Sequence, residues 1–278
     1  MRKIILVLFL LLAAHPAFAA EKESAYDRVI RTGTIRCGYV VYPPIFMKDV
    51  NTGKYSGIMY DIMEKVGQKL NLKIDWAEEV NYGSMYEGLK TNRYDMLCIN
   101  GWDLAVNAKN VAQARPLFYS VVNAFVREGD HRFDNNLAAV NNPAIKVSSI
   151  DGTLPSIMAH EKFPAAQKLD LPQNTDYSTI LLNVAQGKAD ISFVENAAAV
   201  QFMAHNPGKI RMVTMSAPLQ YYSNSFLIPL GQPDLLSMIN MVLDELLGGG
   251  YIDNEIEKYE KTSPPTFLPV AKPYGLVK

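Results

Sequence analysis

The chain has 278 residues, with 27 Lys and Arg against 28 Asp and Glu, 49% hydrophobic residues and a formal charge of −1 at pH 7. A balance this close to neutral gives nucleic acid or an anionic membrane surface nothing to bind. Two cysteines and four histidines, with no CxxC spacing and no close pair of His, argue against a metal site, and no cofactor is expected.

Residues 1–20 read as a cleavable signal peptide: Arg2 and Lys3 give a basic start, Ile4 to Ala14 an apolar core, and Ala17-Phe18-Ala19 a small-x-small cleavage site. The apolar core is far shorter than the roughly 20 residues that cross a bilayer, so no membrane anchor is expected. No Cys near the cleavage site offers a place for a lipid. The mature chain is therefore read as exported, with a charge of 27 − 2 − 28 = −3. Roughly 258 residues remain, enough for two lobes with substantial cores.

Tyr26 to Thr32 reads as a short helix ended by Gly33, and Thr34 to Val41 as the first strand, opening into Tyr42-Pro43-Pro44. Two prolines past a strand end fix a rigid loop and present the aromatic before them. Apolar residues at Ile58, Ile62, Met63, Val66 and Leu70 carry the helical period, with Asn71 as C-cap. Lys73 to Val80 is a second strand, and Asn81-Tyr82-Gly83-Ser84 starts the next helix. Asp95 then opens a strand whose continuous apolar run, Met96 to Ile99, suits burial on both faces, and Asn100-Gly101-Trp102-Asp103 is where it is expected to surface. Cys37 and Cys98 both fall in strands of this first half. An exported chain permits a disulfide between them, while two small buried side chains on neighbouring parallel strands are the alternative.

A polar segment reaches Gln113, and Pro116 to Val126 reads as a strand leaving the first half for the charged, Asn-rich surface connection 127–142. Ala144 to Ser148 is a strand, and Asp151-Gly152-Thr153 a helix start whose free N–H groups and hydroxyl suit a ligand oxygen. Asp176 to Ala185 is a helix, Asp190 to Val194 a strand, Ala197 to His205 a helix and Arg211 to Val213 a short strand. Pro218 to Pro229 reads as a strand returning to the first half. The amphipathic helix Asp234 to Leu247, stopped by Gly248-Gly249-Gly250, precedes a last short helix, Asn254 to Tyr259. The tail 263–278 carries Pro264, Pro265, Pro269 and Pro273 and is expected to be extended rather than packed.

LKTNRYDMLCINGWD (residues 89–103) and VAQGKADISFVEN (184–196) share one grammar: helix end, turn, Asp, apolar strand, polar crest. Open α/β sheets bind ligands beyond the carboxyl ends of their strands, so two such crests suggest two lobes facing across a cleft. Asp95 and Asp190 are read as structural residues at turn and strand start, and Trp102 as packed between lobe and hinge.

The order of RTGTIRCGYVVYPPIF, GKYSGIMYDI, LKTNRYDML, DGT, GKADISFVEN and VLDELLGGGYIDNEIEKY resembles the family 3 extracellular solute-binding proteins of ABC importers, the polar amino-acid binders, over nearly the whole mature chain. The resemblance implies an α/β fold of the two-lobed periplasmic binding protein type II. In that fold each lobe is a mostly parallel sheet flanked by helices, and two hinge strands let the lobes close on ligand. The expected division is lobe 1 over 21–122 plus 224–262 and lobe 2 over 123–223. Expected partners are a small polar ligand and the permease of an ABC importer, with a monomeric chain in the periplasm. By resemblance, Tyr42 and Tyr82 stand where aromatic walls sandwich the ligand, Asn100, Gly101 and Asp103 on the first crest, Thr153 at the hydroxyl site of the second lobe, and Glu195 where an acid binds the ligand amine.

One departure stands out. Amino-acid binders of this family carry an Arg a few residues after the crest to pair the α-carboxylate bidentately. Here that segment is Ala105-Val106-Asn107-Ala108-Lys109, and Asp103 adds a carboxylate where an anion would sit. With Asp103 and Glu195 on opposing crests, the expected ligand is cationic or neutral unless Arg115 or Lys109 swings into the site. Two other classes are weighed: an enzyme of the cyclohexadienyl dehydratase kind, with Glu195 as general acid, and a ligand-presenting partner of a membrane sensor.

Overall fold

The computed structural model describes residues 23–81, 84–102, 104–260 and 266–272. The signal-peptide reading of 1–20 lies outside them, as does most of the tail. The described chain begins with α1 (Ala25–Thr32), where the Ser24 hydroxyl accepts the Asp27 N–H at 3.0 Å and Gly33 turns left-handed at φ 63°. β1 (Thr34–Tyr39), the hairpin β2 (Met47–Lys48) and β3 (Tyr55–Ser56), α2 (Ile58–Leu70), β4 (Lys73–Glu79), α3 (Met85–Lys90) and β5 (Met96–Trp102) follow. β6 (Val111–Gln113) and the long β7 (Phe118–Arg127) lead to β8 (Lys146–Ile150), α4 (Leu154–Lys162), β9 (Gln167–Leu171), α5 (Tyr177–Ala185), β10 (Ile191–Glu195), α6 (Asn196–His205) and β11 (Ile210–Met212). β12 (Gln220–Pro229), α7 (Pro233–Gly248), α8 (Tyr251–Tyr259) and β13 (Phe267–Pro269) close the chain.

The architecture is mixed α/β in two lobes, each a mostly parallel sheet flanked by helices. The main strand order is β4-β1-β5-β12-β7-β10-β8-β9. β4, β1 and β5 run parallel, as do β10, β8 and β9. Between these triplets β12 and β7 pair antiparallel to each other and to their outer neighbours. They are also what joins the two cores. On β7, Phe118 belongs to the cluster formed with α2, α7 and α8, whereas Val122, Ala124 and Val126 belong to that of the other lobe; β12 returns with Tyr222 in the second cluster and Phe226 and Ile228 in the first.

α2 forms where its apolar period demands: Ile58, Met59, Ile62, Met63 and Val66 are wholly buried, and Asn71 closes it at φ 53°. Cys37 on β1 and Cys98 on β5 form a disulfide with Cα atoms 5.4 Å apart, resolving the alternative left open by the sequence. Asp95 is structural, as read: only 2% exposed, it accepts from Arg28 and from the Arg36 guanidinium at 2.9 Å. Asp190 likewise accepts the Lys146 N–H at 2.9 Å and Arg132 at 2.7 Å.

Three features differ from expectation. β6 and β9 escape the sequence reading because both are short and half-polar, β9 reading QKLDL at the sheet edge. The first crest does not surface at Asn100: Asn100 and Gly101 continue β5 and are buried beside β12. The tail is extended but also packed. β13 pairs with β7, and Phe267, 2% exposed, meets the Phe118 ring at 5.2 Å.

Candidate ligand-binding site

Glu195 ends β10, opposite Val122 on β7, and its backbone serves as N-cap of α6. A side chain in that position commonly folds back onto the helix N–H groups. This one makes no capping bond. Its Oε2 instead accepts the Tyr42 hydroxyl at 2.9 Å, a contact that spans the lobes. Oε1 is buried without a hydrogen-bond partner among the described residues, and the residue as a whole is 6% exposed. Burial pushes the carboxyl up from an ordinary 4.5 to about 7, against the smaller opposing effects of the Ser120 and Tyr42 hydroxyls. No Arg or Lys among the described residues pairs with it. An acid so placed is half-neutral near pH 7 and gains strongly from a cation brought to its open oxygen.

Tyr42 is held by its own loop. Its N–H donates to the Phe46 carbonyl at 2.9 Å and its carbonyl accepts the Phe46 N–H at 3.0 Å, around the cis Pro43–Pro44 bond. Thr153 is the N-cap of α4, its hydroxyl donating to the Ile150 carbonyl at 2.6 Å. The Tyr177 phenol, at the start of α5, lies against that Thr153 hydroxyl and within reach of the Glu195 charge. Burial first and that charge second raise its pKa well above the usual phenol range. Tyr42 thus contacts Glu195 and Tyr177 contacts Thr153, and the two pairs are linked by the Glu195 charge felt at the Tyr177 phenol.

Asn100 and Gly101 do not join it directly, because β12 and β7 stand between β5 and β10 in the sheet. Gly101 is required where it is, since a Cβ there would come within 2.3 Å of the Leu227 side chain on β12. Trp102 stacks on Tyr222 at 5.5 Å and donates from Nε1 to Asn224 Oδ1 at 3.1 Å, which places it between lobe and hinge as read. Tyr82 and Asp103 lie outside the described residues.

The hinge strands add polar groups that sequence reasoning missed. Asn224 Nδ2 donates to Ser120 Oγ at 2.9 Å, and Asn123 Nδ2 donates to Asn196 Oδ1 at 2.7 Å, all four residues being buried. Both pairs are uncharged, and the Ser120 hydroxyl lies beside the Glu195 carboxyl. Asn196 directly after the crest acid, and Tyr177 directly after the helix cap Asp176, were the available signals. Arg115 is committed elsewhere: its guanidinium meets Asp244 at 3.0 Å and its backbone N–H donates to Asn240, both on α7. Lys109 is exposed.

Comparison with known proteins places the fold and the family. A Haemophilus influenzae protein, described as a probable amino-acid ABC transporter-binding protein, is 23% identical over 242 residues, covering 85% of this chain and 88% of that one. An ancestral amino-acid-binding protein, a precursor of cyclohexadienyl dehydratase, superposes with a TM-score of 0.70 at 22% identity, over 85% of this chain and 99% of that one. A binding component of an ABC transporter from Wolinella succinogenes, solved with lysine, gives 0.69 at 20% identity, over 82% and 95%. Residues 35–262 match the bacterial extracellular solute-binding proteins, family 3, and the chain belongs to that family.

Proposed function

We propose that the protein captures a small ligand bearing an ammonium or other cationic group, an amine or a modified amino acid, and delivers it in the periplasm to the permease of an ABC importer. Lobe 1 (21–122 with 224–262) and lobe 2 (123–223) close on the ligand as Tyr42 comes against Glu195. The observation that carries this reading is the buried Glu195 carboxyl, held by the Tyr42 hydroxyl with only the neutral Ser120 hydroxyl otherwise beside it and no cation paired with it among the described residues. Tyr42 and Tyr82 wall the ligand, Glu195 takes its cation, Thr153 supplies a polar contact, and Asp103 adds a second negative charge. The absence of an Arg after the first crest, and the engagement of Arg115 with α7, support exclusion of a ligand with net negative charge. The relative described as an amino-acid transporter-binding protein and the lysine-bound neighbour support the same class of ligand. Calorimetric titration with acidic, neutral and basic amino acids, polyamines and amides tests it. Basic or neutral compounds should bind and glutamate should not. Tight glutamate binding that survives Arg115→Ala and Lys109→Ala would overturn the charge argument.

A second reading, an enzyme on this scaffold, draws on the same carboxyl, since an acid of pKa about 7 is suited to proton transfer. Incubation with a cyclohexadienyl substrate, watched for the ultraviolet absorbance of an aromatic product, separates it from pure binding.

A further inference from the structure

β7 has partners on both edges, and they change at the crossing between the lobes. On one edge β12 pairs from Phe118 to Val122. On the other, β10 pairs from Val122 to Val126, whereas from Phe118 to Ser120 that edge is taken by β13, with Phe267 opposite Ser120, Leu268 opposite Tyr119 and Pro269 opposite Phe118. The tail strand and the strand carrying Glu195 therefore lie end to end along β7, with Val121 between their pairings. β13 is firmly seated. Both Glu260 carboxylate oxygens accept backbone N–H groups at its start, those of the preceding Thr266 and, at 2.9 Å, Phe267. Phe267 is buried against Phe118, and past the strand Lys272 Nζ meets Asp253 at 2.6 Å. The strand itself lies beyond residue 262, where the family match ends.

We propose that β13 is a third strand of the hinge, with Phe267 as the positioning residue that stiffens β7 where it leaves lobe 1 and so limits how far the lobes swing. A strand laddered on one edge only bends more readily than one laddered on both, because half of its backbone groups are then released from fixed partners. Ser120 transmits the effect toward the ligand. It pairs with Phe267, accepts from Asn224 across the hinge, and places its hydroxyl beside the Glu195 carboxyl. The inference rests on the reading of two lobes that move about β7 and β12.

The test uses the full chain carrying spin labels at Val50→Cys in lobe 1 and Glu161→Cys in lobe 2, both exposed positions, with the label-to-label distance distribution measured by pulsed electron resonance. Phe267→Ala should broaden the ligand-free distribution, and Phe267→Leu, which restores most of the buried volume, should bring it back toward the wild-type width. If the Ala variant does not fold, the Leu variant carries the test and must still be broader than wild type. A thermal midpoint lowered with the distribution unchanged would reduce β13 to packing and overturn the inference. A wild-type distance that is narrow and unmoved by every compound of the titration panel would instead sink the moving-lobe reading, and this inference with it.

Discussion

Replacing Glu195 by Gln should stabilise the ligand-free protein at alkaline pH while removing its affinity for a cation. Burial lifts the folded carboxyl from 4.5 to about 7. At about 1.4 kcal/mol per tenfold, that gap sets about 3 kcal/mol against the ionised form in the fold. The folded state binds its proton more tightly than the unfolded chain does, so between 4.5 and 7 it holds more protons, and stability falls as pH rises through that window. Below 4.5 the contribution is fully present; above 7 it has been lost. Gln carries no charge at any of these pH values and keeps an oxygen that accepts from Tyr42. The stability difference, variant minus wild type, should therefore be near zero at pH 4.5 and grow to about 3 kcal/mol at pH 8. In thermal terms the variant should gain about 6–12 °C at pH 8, at about 2–4 °C per kcal/mol for a chain of this size. Urea unfolding followed by the fluorescence of Trp76 and Trp102, at five pH values, reads both curves. A difference that stays flat with pH, or a wild type that gains on the variant as pH rises, would refute the account of this carboxyl.

Truncating Tyr42 or Tyr82 to Ala should weaken binding of the best panel compound by roughly 1–3 kcal/mol through lost stacking or cation–π contact, with the unfolding midpoint held. Unchanged affinity with both rings removed would take them out of the site. Replacing Cys37 and Cys98 together by Ser should cost about 4 kcal/mol, the value for releasing a loop of this length, since the bond spans a sequence separation of 61. Denaturant unfolding with and without reductant checks that figure, and a loss under 1 kcal/mol would show the strands to be held by packing alone.

Much of this fold is legible in the sequence because burial and period coincide. The apolar spacing of α2 and its Asn71 cap, the continuous run of β5 and the long strands that became β7 and β12 all follow from local pattern. Glu195 stands out in the sequence because an acid ending an apolar strand, matched by a second crest, is a local signal. Its surroundings do not, because they are set by register between distant strands. Ser120 and Asn123 on β7 and Asn224 on β12 read individually as ordinary polar residues of a strand, and only the pairing of β7 with β12 and β10 brings them together. The first crest misled for a related reason. Asn100-Gly101 has the composition of a turn, yet Gly101 serves to let the Leu227 side chain approach. Asp95 reads as structural from its place at the strand start, but its partners Arg28 and Arg36 come only from the fold. The prolines of the tail set its extension and say nothing about whether Phe267 finds a core.

The central claim is that the Glu195 carboxylate holds the cation of the ligand, and proton release on binding tests it most directly. A carboxyl of pKa about 7 is half protonated at pH 7 and must ionise to pair with a cation. Titration of the tightest-binding basic compound at pH 7, in buffers of different ionisation enthalpy, should therefore show release of about half a proton per ligand, falling toward zero at pH 9. Glu195→Gln should bind more weakly and release none. Binding without proton release at pH 7, or an equal release by the Gln variant, would contradict the claim.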